Sequence, residues 1–369
     1  MPSKSWKDTL STFVWVFDIG RGLCIFIRTA LNQGIIYDFG SSQDFSPTEF
    51  LAKHIIPHLT KYKKSNIAQA IISHPHLDHL SEIEKLGSDL FNPSLLTCPH
   101  DKSPHDESPH DESDESIPDE RIDWSRVNNP GGSDKIIHVY RDLYSKRMLP
   151  LQTIQYDSEI SVPNLEYGIY YIRPPVLQEL FPKDDQEYTN GTSLVLFLRH
   201  GRHTILIPGD IPPKAMEHLL DEKSGSEKRY TIFDRTWTGQ HPNWNRKTED
   251  QPSLKWCLKE YGLSILIAPH HGLESAYSEA LYSSIKGGRP KLVVVSEKRH
   301  LSPTDGKVDE RYYSEQGAEG LNVNIKGKNE KRYCLSTRND NHILIVFEGT
   351  RGAPRVYSEE DPKQLLNKC

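Results

Sequence analysis

Residues 67–79 read IAQAIISHPHLDH. Ile67 to Ser73 is short and mostly apolar, the pattern of a strand buried on both faces. His74, His76, Asp78 and His79 follow at once, so four side chains able to ligate a metal fall within six residues. Side chains alternate along an extended segment, so His74 and His76 face the same way. A turn after Leu77 returns Asp78 and His79 to the same place. Such groups are costly at the end of a buried strand unless they have a partner. Imidazole with carboxylate suits zinc, manganese or iron better than calcium or magnesium. The run is therefore read as a metal site rather than as a polar loop.

Other strand ends carry similar chemistry. Phe13–Phe17 (FVWVF) reads as a strand that closes at Asp18-Ile19-Gly20-Arg21-Gly22, and Cys24–Arg28 as the next. Ile35–Tyr37 ends at Asp38, placed to hydrogen-bond a ligand histidine from behind. Asp18 either does the same or only fixes its glycine turn. Ser193–Arg199 and Thr204–Ile207 form a hairpin through His200-Gly201 that ends at Pro208-Gly209-Asp210. With the histidines present, Asp210 is the natural carboxylate between two metals. Leu263–Ala268 ends at Pro269-His270-His271-Gly272, and one of these two histidines is expected as a ligand. Tyr167–Ile172 and Leu292–Ser296 are further strands, the latter ending just before His300. Lys331–Ser336 and His342–Phe347 are expected to pair with each other. Ser46 is placed to cap a helix that starts at Pro47, the run after His79 is helix-like, and Met216–Leu220 lies in a helix. Strands in two series with helices between them make an α/β sandwich whose site sits at the strand termini.

The chain has 369 residues and a formal net charge of −6. The charge is unevenly spread. Asp101–Asp123 holds ten acidic and two basic residues, so the remainder carries a net charge of +2. SPHDES occurs twice in this tract, at Ser103 and Ser108. Such a polar repeat cannot bury a core, so residues 99–135 are read as an acidic low-complexity insertion and its His105 and His110 as solvated. The expected organisation is one domain over residues 1–350 around this insertion, with a C-terminal tail over 351–369. The five cysteines include no closely spaced pair, which fits a reducing compartment. No signal peptide or run of about 18 apolar residues is seen, so the expectation is a cytoplasmic protein with no membrane partner.

Together these motifs resemble the metallo-β-lactamase superfamily, and within it the metallohydrolase domain of the ComEC competence proteins. HPHLDH resembles the HxHxDH signature. Asp18–Gly22 is similar to the opening DVGQG, and Asn190–Leu196 (NGTSLVL) to an N-x-x-SLVL strand. Asp210 matches a GD turn, His270-His271-Gly272 an HHG turn, and His300–Pro303 weakly a closing HPS. The likeness runs from about residue 13 to 345. It implies a four-layer αββα metallo-β-lactamase-like sandwich with two divalent metal ions, Zn²⁺ or Mn²⁺. By this resemblance His74 and His76 hold the first ion. Asp78, His79 and one of His270 and His271 hold the second, Asp210 bridges them, and Asp78 and His271 also serve the chemistry. Ser193, Asn190, Asp18, Asp38 and His300 would stand behind the ligands or meet substrate. The chain departs from the family in several places. Asn190 stands where many members carry a third histidine for the first ion, His76 where ComEC domains often have Asp, Leu23 and Cys24 where a polar pair follows the opening turn, and Leu273 where a serine follows HHG.

The resemblance implies a metal-dependent hydrolase, a phosphodiesterase or nuclease acting on DNA. Two alternatives stay open: a lactonase- or thioesterase-type hydrolase of small esters, and a non-catalytic member that uses the fold as a binding module. Lys286, Arg289, Lys291, Lys298 and Arg299, with Lys326, Lys328, Lys331 and Arg332, could hold a nucleic acid backbone if they flank the His270 edge. Trp237, His241 and Trp244 could stack on bases. The acidic tract would repel nucleic acid until moved, or bind a basic partner protein.

Overall fold

The computed structural model describes residues 11–59, 67–86, 91–93, 95–99, 165–172, 174–221, 229–234, 253–297, 307–348 and 352–369. The acidic insertion after Pro99, His300 and the Trp237–Trp244 segment lie outside them.

The strands, in chain order, are β1 (Ser11–Val16), β2 (Ile25–Arg28), β3 (Gly34–Tyr37), β4 (Ile67–Ile71), β5 (Leu95–Thr97) and β6 (Leu165–Ile172). Then come β7 (Val195–His200), β8 (His203–Ile207), β9 (Arg229–Asp234), β10 (Ile265–Ile267) and β11 (Leu292–Val295). The last are β12 (Leu321–Ile325), β13 (Lys328–Arg332), β14 (Cys334–Ser336), β15 (His342–Glu348) and β16 (Arg355–Glu359). They form two mixed sheets, one ordered β13-β12-β16-β15-β1-β2-β3-β4-β5 and the other β14-β11-β10-β8-β7-β6-β9.

The period-2 pattern of β1 explains the layering. Val14 and Val16 join an apolar core shared with Ile169, Leu196, Ile205 and Ile267 of the second sheet. Phe13, Trp15 and Phe17 face the other way, against Phe50 and Leu51 of the helix Pro47–His54. The second sheet is covered on its outer face by Met216 and Leu219 of the helix Pro213–Leu220 and by Leu254 and Leu258 of the helix Leu254–Tyr261. The chain is thus an α/β sandwich of two sheets packed face to face with helices outside. Ser46 caps the first helix by accepting from the Glu49 amide, as its position suggests.

β4 carries one polar residue into this core. Gln69 is fully buried, and its amide is satisfied by the Tyr167 hydroxyl of the opposite sheet and by Thr97, each at 2.7 Å. A register shift between β3 and β4 lies just before it.

Three expectations are corrected. Lys331–Ser336 and His342–Phe347 do not pair with each other. Cys334–Ser336 runs parallel to β11 in the second sheet, whereas β15 lies between β1 and β16 in the first. The two apolar runs face different layers, and the connection changes sheets. Residues 351–369 are not a tail. β16 is an interior strand between β12 and β15, and Leu365 of the helix Pro362–Leu366 is fully buried. A short amphipathic strand far from the motifs carries little signal in isolation. The run after His79 forms a short helix over Leu77–Leu80 and a 3₁₀ turn over Ile83–Lys85 instead of one longer helix. Among the described residues no helix is long and apolar enough to cross a membrane.

Candidate metal centre

Parallel strands gather the site. β3 and β4 run parallel in one sheet, as do β8, β10 and β11 in the other, so their carboxyl ends share an edge. The two edges meet where the Leu194 amide donates to the Ser73 carbonyl at 3.0 Å. The segments after β3, β4, β8, β10 and β11 then deliver Asp38, His74–His79, Asp210, His270–His271 and Ser296.

Three of the histidine rings are oriented from behind. His79 Nδ1 lies 2.7 Å from Asp38 Oδ2, leaving Nε2 toward Asp210 Oδ1 at 3.4 Å. His271 Nδ1 meets the Ser296 carbonyl at 3.0 Å, and its Nε2 lies 3.5 Å from Asp78 Oδ2 and 3.6 Å from Asp210 Oδ2. His74 Nδ1 lies 2.9 Å from Ser73 Oγ, and its Nε2 is 3.8 Å from Asp210 Oδ2 and 2.9 Å from His76 Nδ1. Asp38 in turn accepts from both the Ser73 amide and the Ser73 hydroxyl at 2.6 Å. A ring nitrogen tied up behind sets which nitrogen faces forward, the arrangement that tunes ligand histidines.

Burial and charge act together. Burial and the neighbouring His79 and His76 hold the His74 pKa well below the usual histidine value, which keeps the imidazole neutral. Burial also opposes charge on His79, but Asp210 and Asp38 outweigh it and hold its pKa well above that value. Asp210 resists its own burial through His79, His271 and His270 and stays ionised, and Asp78 does so through His271 and His79.

The turns are built for close approach. His270 and His271 both adopt left-handed backbone, with φ of 46° and 57°. Non-glycine residues pay roughly 1 kcal/mol or more each for such a conformation, and it is found at functional sites. Asp38 shares it, with φ of 61°. A side chain at Gly22 would collide with the Asp78 carbonyl, so the glycine turn expected at Asp18–Gly22 packs directly on the histidine loop.

The donor set fits a metal. His74, His79 and Asp210 present ligand atoms within 4.8 Å of one another, and so do Asp78, His79 and His271. His79 Nε2 and His271 Nε2 are buried without a hydrogen-bond partner, a costly state that a cation would relieve. His271 joins the second group. His270, 3.8 Å from Asp210, and His76, 2.9 Å from His74, are in neither group. Of the residues expected behind the ligands, Asp38 is in place, and Ser193 accepts from the Asp210 amide at 3.1 Å and so positions that carboxylate. Asn190 is fully buried, and neither atom of its amide has a partner. Asp18 accepts from the Gly20 amide, so it shapes its own turn.

Three features escaped the sequence. Ser73 and Ser296 anchor rings, but nothing marks a serine as such an anchor before the fold is known. Arg21, half exposed, sets Nε 3.5 Å from Asp78 Oδ2. Its place inside a glycine turn was the only available signal. Conversely, Lys286, Arg289 and Lys291 precede β11, at the opposite end of the sheet from His270, so they do not flank the site.

No protein-family model matches the chain, and no curated protein matches it significantly.

Proposed function

We propose that this chain is a metal-dependent hydrolase of the metallo-β-lactamase type, acting on phosphodiesters, with DNA as the favoured polymer. The observation that carries the reading is the convergence of His74, Asp78, His79, Asp210 and His271 from both sheets, with the rings of His79 and His271 held from behind and His76 set against His74. The two-sheet sandwich with its site at strand ends supports the superfamily assignment, and the motifs support the ComEC likeness. In this reading His74 and His76 would hold one divalent ion, Asp78, His79 and His271 would hold another, and Asp210 would serve both. Zinc and manganese suit the donors.

Two such ions, when bound, supply Lewis acidity and an activated water as nucleophile. The protein residues do the rest. Asp38 and the Ser296 carbonyl keep the rings of His79 and His271 in place. Asp78, held ionised, accepts a hydrogen bond from the attacking water and orients it. Leu23, Gly22 and the close-packed turns exclude bulk water from one flank of the cluster.

A second reading, a hydrolase of small esters, is favoured by one observation: Lys286, Arg289 and Lys291 lie away from the site, which removes part of the expected track for a polymer. The deciding experiment is cleavage of labelled single- and double-stranded DNA, RNA, a generic phosphodiester and a neutral lactone. Each is run with Mn²⁺, Zn²⁺ or chelator, beside a His76→Ala/Asp78→Ala variant. Metal-dependent phosphodiester cleavage lost in the variant is the expected result. Lactone cleavage alone would transfer the assignment to the second reading. No turnover by a protein that binds two ions would point to the non-catalytic member of the fold.

A further inference from the structure

The cluster is rich in anions and imidazoles, yet one permanent cation stands beside it. Arg21 sits between Gly20 and Gly22 with its side chain 53% exposed and Nε 3.5 Å from Asp78 Oδ2. Among the described residues, no other lysine or arginine contacts the cluster. The turn that carries Arg21 is held tightly. Gly22, at φ 110°, packs on the Asp78 carbonyl, and the Leu23 amide donates to that carbonyl at 3.4 Å. The Gly40 amide donates to the Leu23 carbonyl at 3.0 Å, and Ser296 Oγ donates to the Gly22 carbonyl at 2.7 Å. Ser296 is also the residue whose carbonyl orients His271. One residue therefore ties the arginine turn to a ligand candidate.

Stability does not account for this. A half-exposed arginine–carboxylate pair contributes little. A guanidinium, however, offers five N–H donors in a planar fork suited to phosphoryl oxygens, and its closest approach to Asp78 is through Nε at 3.5 Å. Asp78 shared with a metal would compensate the guanidinium less, leaving it a stronger anion receptor.

We propose that Arg21 is a substrate-binding residue that grips the anionic oxygen of a phosphoryl group held at the cluster, and so selects phosphodiesters over neutral esters. The inference rests on the hydrolase reading for its substrate class, but it predicts anion binding whether or not turnover is seen.

The test uses the full chain loaded with zinc, as wild type, Arg21→Ala and Arg21→Lys. Inorganic phosphate is titrated calorimetrically, zinc content is measured on the same samples, and bis(p-nitrophenyl) phosphate hydrolysis is followed in parallel. Arg21→Ala is expected to weaken phosphate binding about tenfold, the scale of one lost charge-assisted contact at a partly exposed site. Zinc content should hold, and any loss of turnover should fall mainly in KM. Arg21→Lys, which keeps the charge but not the fork, should lie between. Unchanged phosphate affinity in Arg21→Ala would overturn the proposal. So would a loss of affinity that merely tracks lost zinc, because Arg21 would then act only through Asp78. Absence of phosphate or zinc binding in the wild type would overturn it too. Phosphate binding that depends on Arg21 without phosphodiester turnover would leave the arginine assignment standing and remove the hydrolase reading.

Discussion

The two halves of the His/Asp cluster are built to different standards. Around His79 and His271 every ring has a partner behind it: a carboxylate for one, a main-chain carbonyl for the other. Two ionised carboxylates, Asp78 and Asp210, face them. Around His74 and His76 the support is thinner. His74 rests on the Ser73 hydroxyl, His76 leans on His74, and the nearby Asn190 amide is buried with neither atom satisfied. Asp210, 3.8 Å from His74, and the more distant Asp78 bring negative charge to this half. Under the proposed two-ion reading, this difference predicts a preorganised second site and a looser first one. Affinity follows the number of anionic ligands and the rigidity of the residues behind them.

The largest effect should come from the group that serves both halves. Asp210→Ala is expected to remove both ions and to lower any metal-dependent turnover roughly a thousandfold or more, the scale of lost charge stabilisation at a reacting centre. Metal analysis of the purified variant checks it, and retention of one ion at full strength would break the picture of a shared carboxylate. Asp38→Asn acts on one half only. It should weaken the second ion about 10- to 100-fold while leaving the first within about twofold, as read by competition with a chromophoric chelator. Equal weakening of both would show that the halves are not separate.

Asn190→Asp probes the looser half with nearly the same shape. The added carboxylate should tighten the first ion about tenfold, provided that the amide faces it. In chelator the same variant should be less stable, because a buried charge then lacks its partner. A lower melting temperature with zinc as well as without it would place Asn190 outside the first site.

The scaffold has its own pH response, to be separated from that of the metals. Burial pushes His200 and His342 down to about 4, below the usual 6.5. Both therefore stay neutral when folded, whereas the unfolded chain takes up protons as soon as pH drops below about 6.5. Their contribution is complete above that value and is lost as pH falls toward 4, by about 1 kcal/mol or more. Melting in chelator from pH 7 to 4 measures it, and His342→Gln should flatten the slope. An unchanged slope would mean that other groups carry the acid response.

Legibility followed the range of the interaction. β1, β4 and the β7–β8 hairpin announced themselves through short apolar runs and turns that need only neighbouring residues. β16 and the change of sheet before β14 depend on partners far along the chain, and short strands of that kind carry no local mark. The same holds in the site. HPHLDH was visible because four ligating side chains are adjacent in sequence. That His271 rather than His270 joins Asp78 and His79 was not, since its ring is set by a carbonyl 25 residues away. Nor was the distance between the basic residues and the His270 edge, because only the direction of β10 and β11 decides it.

By itself the sequence determined which residue types are available at the strand ends and that buried strands carry them. Those are local matters of side-chain chemistry and apolar period. Tertiary structure alone decided that the segment after β4 meets the start of β7 from the opposite sheet, which nitrogen of His74, His79 and His271 turns inward, and that Arg21 rather than Lys286, Arg289 or Lys291 stands beside the cluster. Each of those depends on contacts that cost chain entropy to form and are held by the core the two sheets share.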